Sequence, residues 1–277
     1  MEQTSTVEKM GYRSDLKCIL LTNDDGFLAD GLGAIRKELS RRWDVVVIAP
    51  DRERSAVSHS LTLHRPLRAN QIDSATFVVD GTPTDCVMLG VWGILETKPD
   101  LVVSGINHGP NLGDDVTYSG TVGAAIEGAL LGIPSIAVSI ADYQPSSFEG
   151  AAVFGRALAE QVLSRGIPAG TFLNVNVPNL PAHEIQGVRV TTLGKRVYRS
   201  PVVRRTDPRG RTYYWIGGQD SQWTGGEDSD FAAIEAGMMS VSPLQLDLTS
   251  HCAISEIKGW NIDWKGGTGN SDVEAAV

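Results

Sequence analysis

Two acidic side chains stand side by side in CILLTNDDGF (residues 18–27), where Asp24 and Asp25 follow the apolar run Cys18, Ile19, Leu20 and Leu21. Neighbouring carboxylates repel each other, and burying either one unpaired is costly. Two arrangements meet that cost. Asn23, Asp24, Asp25 and Gly26 are ordinary turn residues, so the segment can be a plain turn. A bound cation that neutralises the pair is the other arrangement.

Further oxygen donors lie in other segments: Ser55 in ERSAVSHS, and Asn107 and Asn111 in GINHGPNLG. With Asp24 and Asp25 they make a set of hard ligands, which favours Mg²⁺ or Mn²⁺ over zinc. His59, His64 and His108 are not spaced as a zinc set, and no cysteine joins them. In DDVTYSGTVGAA, Ser119, Gly120 and Thr121 open a helix. The free N–H groups and positive dipole end of a helix start attract anions. Gly120 and Gly123 allow close approach of a ligand or another backbone, while Ser119 equally suits a simple N-cap. Asp114 and Asp115, just before that helix, complement its dipole. A cation cradle next to an anion cradle suits metal-assisted phosphate chemistry.

The elements that must position these residues alternate. Apolar runs at Lys17–Thr22, Asp44–Pro50, Asp100–Asn107, Ser135–Ile140 and Phe172–Pro178 predict strands. LTLHRPLRA and TFVVDG predict two more, and MMSVSPLQLDLT a closing strand. Helical patterns begin at Leu32, at Thr82 or Thr84, at Gly120, at Phe148 and at Ser229. Runs that are apolar throughout suit parallel strands covered on both faces. The alternation predicts an open, doubly wound, mostly parallel α/β sheet in three layers. Such sheets bind ligands at the carboxyl ends of their strands, where TNDDG, APDRERS and SGINHG all fall.

The sequence reads as one domain over 1–277. A short disordered leader (1–15) precedes an α/β core (16–194). Next come a β-hairpin arm (195–228) turning at Asp207–Gly210, a return to the core (229–249) and a tail (250–277). Exposed apolar residues on the arm favour oligomer contacts.

Composition excludes several classes. The net charge is −9 over 277 residues, which argues against a duplex nucleic-acid binder. No apolar run is long enough to span a membrane, and the polar start lacks a signal-peptide core. Three cysteines without a CxxC suit a reducing, cytoplasmic setting. A dinucleotide fingerprint fails, because Arg36 stands where the third glycine after Gly31 and Gly33 belongs. A haloacid-dehalogenase-type phosphatase needs an aspartate where Asn23 stands, and no GxSxG elbow is present.

Five segments in order carry a family resemblance: ILLTNDDG, APDRERS…SLTL, DGTPTDCV, LVVSGINHGPNLGDDVTYSGTVGAAIEGALLGIPSIAVS and SVSPLQLDLT. From about Lys17 to Thr249 the chain resembles the SurE family, the survival protein E nucleotidases. That resemblance implies a Rossmann-like core with a protruding hairpin, and dimers or tetramers formed through the hairpin and a C-terminal segment. It implies metal-dependent hydrolysis of nucleoside 5′- and 3′-monophosphates, and of short polyphosphate in some members. One divalent ion per subunit, Mg²⁺ or Mn²⁺, would lie on Asp24, Asp25, Ser55 and Asn107. Asn111 and the Ser119-Gly120-Thr121 turn would face the phosphate. The catalytic set would be Asp24, Asp25 and Asn111. Either aspartate could take the water's proton, with Asp25 favoured; His59 and His108 are alternative carriers, and the plainer reading of each is a satisfied surface histidine. FLADG after NDDG, Ala56 in RSAVS and His108 after Asn107 depart from the commoner family pattern and bear on base preference. A non-catalytic, metal-dependent nucleotide sensor is the competing reading. A nicotinamide-dependent oxidoreductase is a third, weakened by the missing glycine pattern.

Overall fold

A computed structural model describes residues 10–11, 16–198, 202–216, 221–260 and 262. The chain divides into two compact units, Met1–Gln245 and Leu246–Val277. In chain order the first unit contains β1 (Cys18–Thr22), α1 (Asp30–Leu39), β2 (Asp44–Pro50), β3 (Ala69–Asp73), β4 (Thr76–Val79), α2 (Pro83–Leu89) and β5 (Leu101–His108). It continues with α3 (Gly120–Leu130), β6 (Ser135–Ile140), α4 (Glu149–Arg165), β7 (Thr171–Val177), β8 (Val188–Val190), β9 (Lys195–Tyr198), β10 (Val202–Thr206), β11 (Thr212–Ile216), β12 (Ser221–Thr224), α5 (Asp230–Glu235) and β13 (Met239–Gln245).

The main sheet has nine strands in the order β3-β4-β2-β1-β5-β6-β7-β13-β8. From β4 through β7 every neighbouring pair is parallel. β3 and β13 run antiparallel to their neighbours β4 and β7. Both faces are covered, as the continuous apolar runs require. Ile19, Leu21, Val45 and Val47 pack against Leu32, Ile35 and Leu39 of α1 and Ala152 and Ala159 of α4. Cys18, Leu20, Val46 and Ile48 pack with Cys86 and Val87 of α2 and Ala124 of α3. The result is a three-layer, Rossmann-like α/β fold. Chain order reverses between β1 and β5: β2 and β4 lie to one side, β6 and β7 to the other. The crevice beyond the carboxyl ends of β1 and β5 is therefore the topological switch point, the place where such sheets hold ligands.

α3 rests unusually close to the sheet. A Cβ on Gly128 would overlap the Ser135 hydroxyl and meet Val102 at 3.0 Å. That approach explains a helix made largely of glycine and alanine, against the usual helix preference.

Some elements differ from the sequence expectation. LTLHRPLRA forms no strand before its last residue, Ala69, which opens β3. Pro66 has no N–H to give a ladder, and the segment's other groups are held elsewhere: Thr62 N and Oγ1 donate to Asp85, and Arg68 N donates to Asp80. The edge strand lies further on, at β3. α2 starts from Thr82, whose hydroxyl accepts from Asp85 N in a reciprocal capping box, and it continues into a π-helical turn at Gly90–Ile94. β8, the β9–β12 pair and a helix α6 (His251–Lys258) in the second unit had no clear signature. The hairpin at Asp207–Gly210 joins β10 to β11, with Asp207 Oδ1 accepting from Arg209 N and Arg211 N. Most of the expected leader and the tail from 263 onward lie outside the described residues. No described helix is long and apolar enough to cross a membrane.

The glycines give a paired test of this packing. Gly128→Val should destabilise by about 2–4 kcal/mol through overpacking. Gly33→Ala, where a Cβ meets nothing within 4 Å, should stabilise by about 0.4–1 kcal/mol. Urea unfolding of both variants measures the contrast.

Candidate active site

The turn after β1 is built by Asn23 and Gly26. Asn23 Nδ2 donates to Gly26 O at 2.9 Å, and Gly26 takes φ +96 with its α-carbon against the backbone of Arg52. Arg54 N donates to Asp24 O at 2.6 Å, which ties the loop after β2 to the loop after β1. The turn reading is thus realised in the backbone, and it places both carboxylates at the switch point.

Asp24 is only 4% exposed. Its carboxylate sits on the first residues of α3. Thr121 Oγ1 donates to Asp24 Oδ1, and the backbone N–H groups of Gly120 and Thr121 add to it. A Cβ on Gly120 would meet Asp24 Cβ and Oδ2 at 2.9 Å, so only glycine lets the acid come so near. Burial pushes the Asp24 pKa up, and these donors oppose the shift.

Asp25 is more open and less well supplied. His108 N donates to its Oδ2 at 3.3 Å, and His108 Nδ1 lies 3.6 Å from its Oδ1. Its pKa is pushed up to about 6, first by burial and then by the Asp24 charge, with Glu53 adding and His108 opposing. The His108 ring leans on Phe148 with centroids 4.9 Å apart.

The remaining donors are distributed around this pair. Asn107 Nδ2 donates to Gly109 O at 2.8 Å, so its amide oxygen is the atom it could offer to a cation. Ser55 is exposed, and its hydroxyl donates to Glu53 Oε1 at 2.6 Å rather than to either aspartate. Ser119 Oγ accepts from Val122 N at 3.1 Å and caps α3. Thr121, expected on the phosphate side, gives its hydroxyl to Asp24 Oδ1, and the backbone at Gly120 and Thr121 also bears on that acid. His59 points to the buried Glu127, with Nε2 and Oε2 2.6 Å apart, so it is a paired histidine away from the acids.

Asn111 belongs to a buried amide network. Its N–H donates to Asn176 Oδ1 at 2.8 Å and its Nδ2 donates to Ser139 Oγ at 2.8 Å. Its carbonyl accepts from Asn174 Nδ2 at 2.8 Å and Asn176 Nδ2 at 2.9 Å. Asn174 and Asn176 of β7, Ser139 of β6 and Glu53 escaped the sequence reading. The only signal was a pair of amides in the otherwise apolar strand TFLNVNV.

Residues 19–200 match the family described as Survival protein SurE. The chain belongs to the SurE family. A relative from Geobacter sulfurreducens named 5′-nucleotidase SurE is 54% identical over 245 residues, spanning 88% of this chain and 94% of the relative. Another of that name from Geotalea daltonii is 55% identical, spanning 88% and 99%. The crystal structure of a SurE protein from Aquifex aeolicus, 48% identical, superposes with a TM-score of 0.80 over 88% of this chain and 99% of that one. The Rossmann-like sheet and the switch-point crevice are thus a SurE architecture.

A divalent cation fits the donors of this SurE site. Asp24, Asp25 and the Asn107 amide offer hard oxygens, and each carboxyl is raised by burial, the condition a cation relieves. Among the described residues no group of three His, Cys, Asp or Glu side chains is placed to hold a metal. Neutral protein oxygens and water must complete any such shell.

The raised Asp25 value sets a pH dependence. A carboxyl at about 6 in the folded chain against 3.8 unfolded holds its proton better when folded. In EDTA, stability should therefore fall as pH rises from about 4 to about 6 and then level off. Asp25→Asn should be more stable than the parent by up to about 3 kcal/mol at pH 7.5 and by only about 1 kcal/mol at pH 4.5. Urea unfolding at the two values measures the difference.

Proposed function

We propose that this SurE-family chain is a metal-dependent phosphomonoesterase that hydrolyses nucleoside 5′-monophosphates, and 3′-monophosphates, to nucleoside and phosphate, with short polyphosphate as a further substrate. The observation that carries the reading is the split role of adjacent acids at the switch point, Asp24 locked onto α3 and Asp25 left at the mouth with a pKa of about 6. The site fits one divalent ion per subunit, Mg²⁺ or Mn²⁺, held by Asp24, Asp25 and Asn107, with Ser55 joining once its hydroxyl leaves Glu53. Bound there, the ion neutralises phosphoryl charge and lowers the pKa of water.

The chain's own groups do the rest. Asp24 stays fixed by Thr121 and Gly120, so the cradle does not collapse under its own repulsion. Asp25, ionised for the most part above pH 6, accepts the proton of the attacking water on a carboxylate oxygen. Asn111, held in place by Asn176 and Ser139, and the Ser119 hydroxyl stabilise the equatorial oxygens of the transition state.

The net charge of −9 disfavours duplex nucleic acid as a partner, and no described helix is fit to cross a membrane. Free Cys18, Cys86 and Cys252 suit a cytoplasmic location. The exposed Tyr214, Trp215 and Ile216 of the hairpin suit a homodimer or homotetramer.

Phosphate release from AMP, GMP and p-nitrophenyl phosphate should appear with Mn²⁺ and vanish in EDTA, and Asp24→Asn should lose at least about 10³-fold in kcat. A sensor would bind the nucleotide and release nothing; Asp24→Asn turning over at the parental rate would remove the ligand assignment. Asn176→Ala should lower kcat about tenfold or more while the Mn²⁺ concentration for half-activation stays put, since the amide network supports Asn111 and not the ion.

A further inference from the structure

The loop after β6 carries Tyr143, 72% exposed. A single open ring says little by itself, but this one has a seat. A Cβ on Gly109 would lie 2.5 Å from Tyr143 Cε1 and 2.6 Å from Cδ1, and Gly109 holds φ +105, a conformation that side-chain-bearing residues avoid. No other residue could stand under the ring. Gly109 lies between Asn107 and Asn111, and its carbonyl accepts the Asn107 amide at 2.8 Å. The ring is therefore braced on the segment that supplies both a metal ligand and a phosphate-side amide, with most of its surface facing solvent.

We propose that Tyr143 is the stacking platform for the nucleobase of the substrate. The inference rests on the nucleotidase reading and adds how the far end of the nucleotide is held. A leaving nucleoside must project from the phosphoryl site toward the rim of the crevice, where an exposed ring can meet its base. His108 is engaged with Phe148 and Asp25. Tyr118, 62% exposed beside Ser119, is not seated on a glycine in this way. A braced ring gives up little freedom when a base stacks on it. Stacking accepts every base because each has a π-face, and it favours the larger overlap of a purine. The platform thus predicts a base-tolerant enzyme that prefers purine over pyrimidine nucleotides, and any nucleotide over a sugar phosphate without a base.

The test compares the Mn²⁺-supplied parent with Tyr143→Ala, Tyr143→Phe and Tyr118→Ala, using AMP, CMP and ribose 5-phosphate. Tyr143→Ala should raise KM for AMP about tenfold, raise it less for CMP, and leave KM for ribose 5-phosphate within about twofold. Tyr143→Phe, which keeps the ring, should retain the parental KM for AMP. A parental KM for AMP in Tyr143→Ala, or the loss appearing in Tyr118→Ala instead, overturns the platform while the nucleotidase stands. A parent that hydrolyses ribose 5-phosphate but not AMP overturns both.

Discussion

The seating of Asp24 on the first turn of α3 is the constraint from which the rest of the site follows. Two adjacent carboxylates at the end of a core strand cannot both be buried and charged without help. The fold treats them unequally. Asp24 receives a hydroxyl, two backbone N–H groups and the positive end of a helix. Asp25 receives one long backbone contact and a neighbouring histidine. One acid becomes part of the scaffold, and the other is left with fewer donors and a pKa pushed up to about 6.

The composition of α3 follows from the same contact. Gly120 must lack a side chain for Asp24 to reach the helix, Gly123 for the loop at Ser58 and His59 to cross it, and Gly128 for the sheet to lie beneath. Each glycine inside a helix costs about 0.5–1 kcal/mol relative to alanine. The compensation is tertiary: the helix start comes within bonding distance of the acid. Across the crevice the loop after β2 shows a related compromise, with Ala56 and Ser58 at φ 55 and 56. Ser58 is pinned there by its N–H to Tyr118 O and its hydroxyl to Thr117 O. Local preferences that give way around a site, while the surrounding strands obey them, are what a functional region imposes on a fold.

Legibility in the sequence tracked the same physics. DVVVIAP and SIAVSI, buried on both faces, matched β2 and β6 residue for residue, because a continuous apolar run of that length has few other uses. LTLHRPLRA failed because its alternation of apolar residues was outweighed by side-chain acceptors in Asp80 and Asp85, distant in sequence. NDDG singled itself out, since paired acids after a strand demand an explanation, although a plain turn answered that demand as well as a cation did. Asn174 and Asn176 did not: an amide within a strand is a packing anomaly until the chain that needs it, here the backbone and side chain of Asn111, is brought alongside. The direction of the α3 donors was likewise invisible, because the sequence shows that a helix begins and not which carboxylate it faces.

A second buried acid shows how far the site's constraints reach. Asp230, fully buried at the start of α5, accepts from Gly113 N at 2.7 Å and from Gly194 N at 2.8 Å. Gly113 lies just after Asn111, and Gly194 directly precedes β9 at the root of the arm. Arg196 of β9 pairs with Asp115 at 2.5 Å and lies over the Trp223 ring of β12, centroid distance 5.0 Å. Burial raises the Asp230 pKa, and the backbone donors hold it down. If either backbone withdrew, a buried carboxylate would be left short of a donor, at a cost of about 1–3 kcal/mol or more. The loop after β5 and the segment leading into β9 are therefore held to one shared carboxylate, and neither can shift alone without exposing that cost.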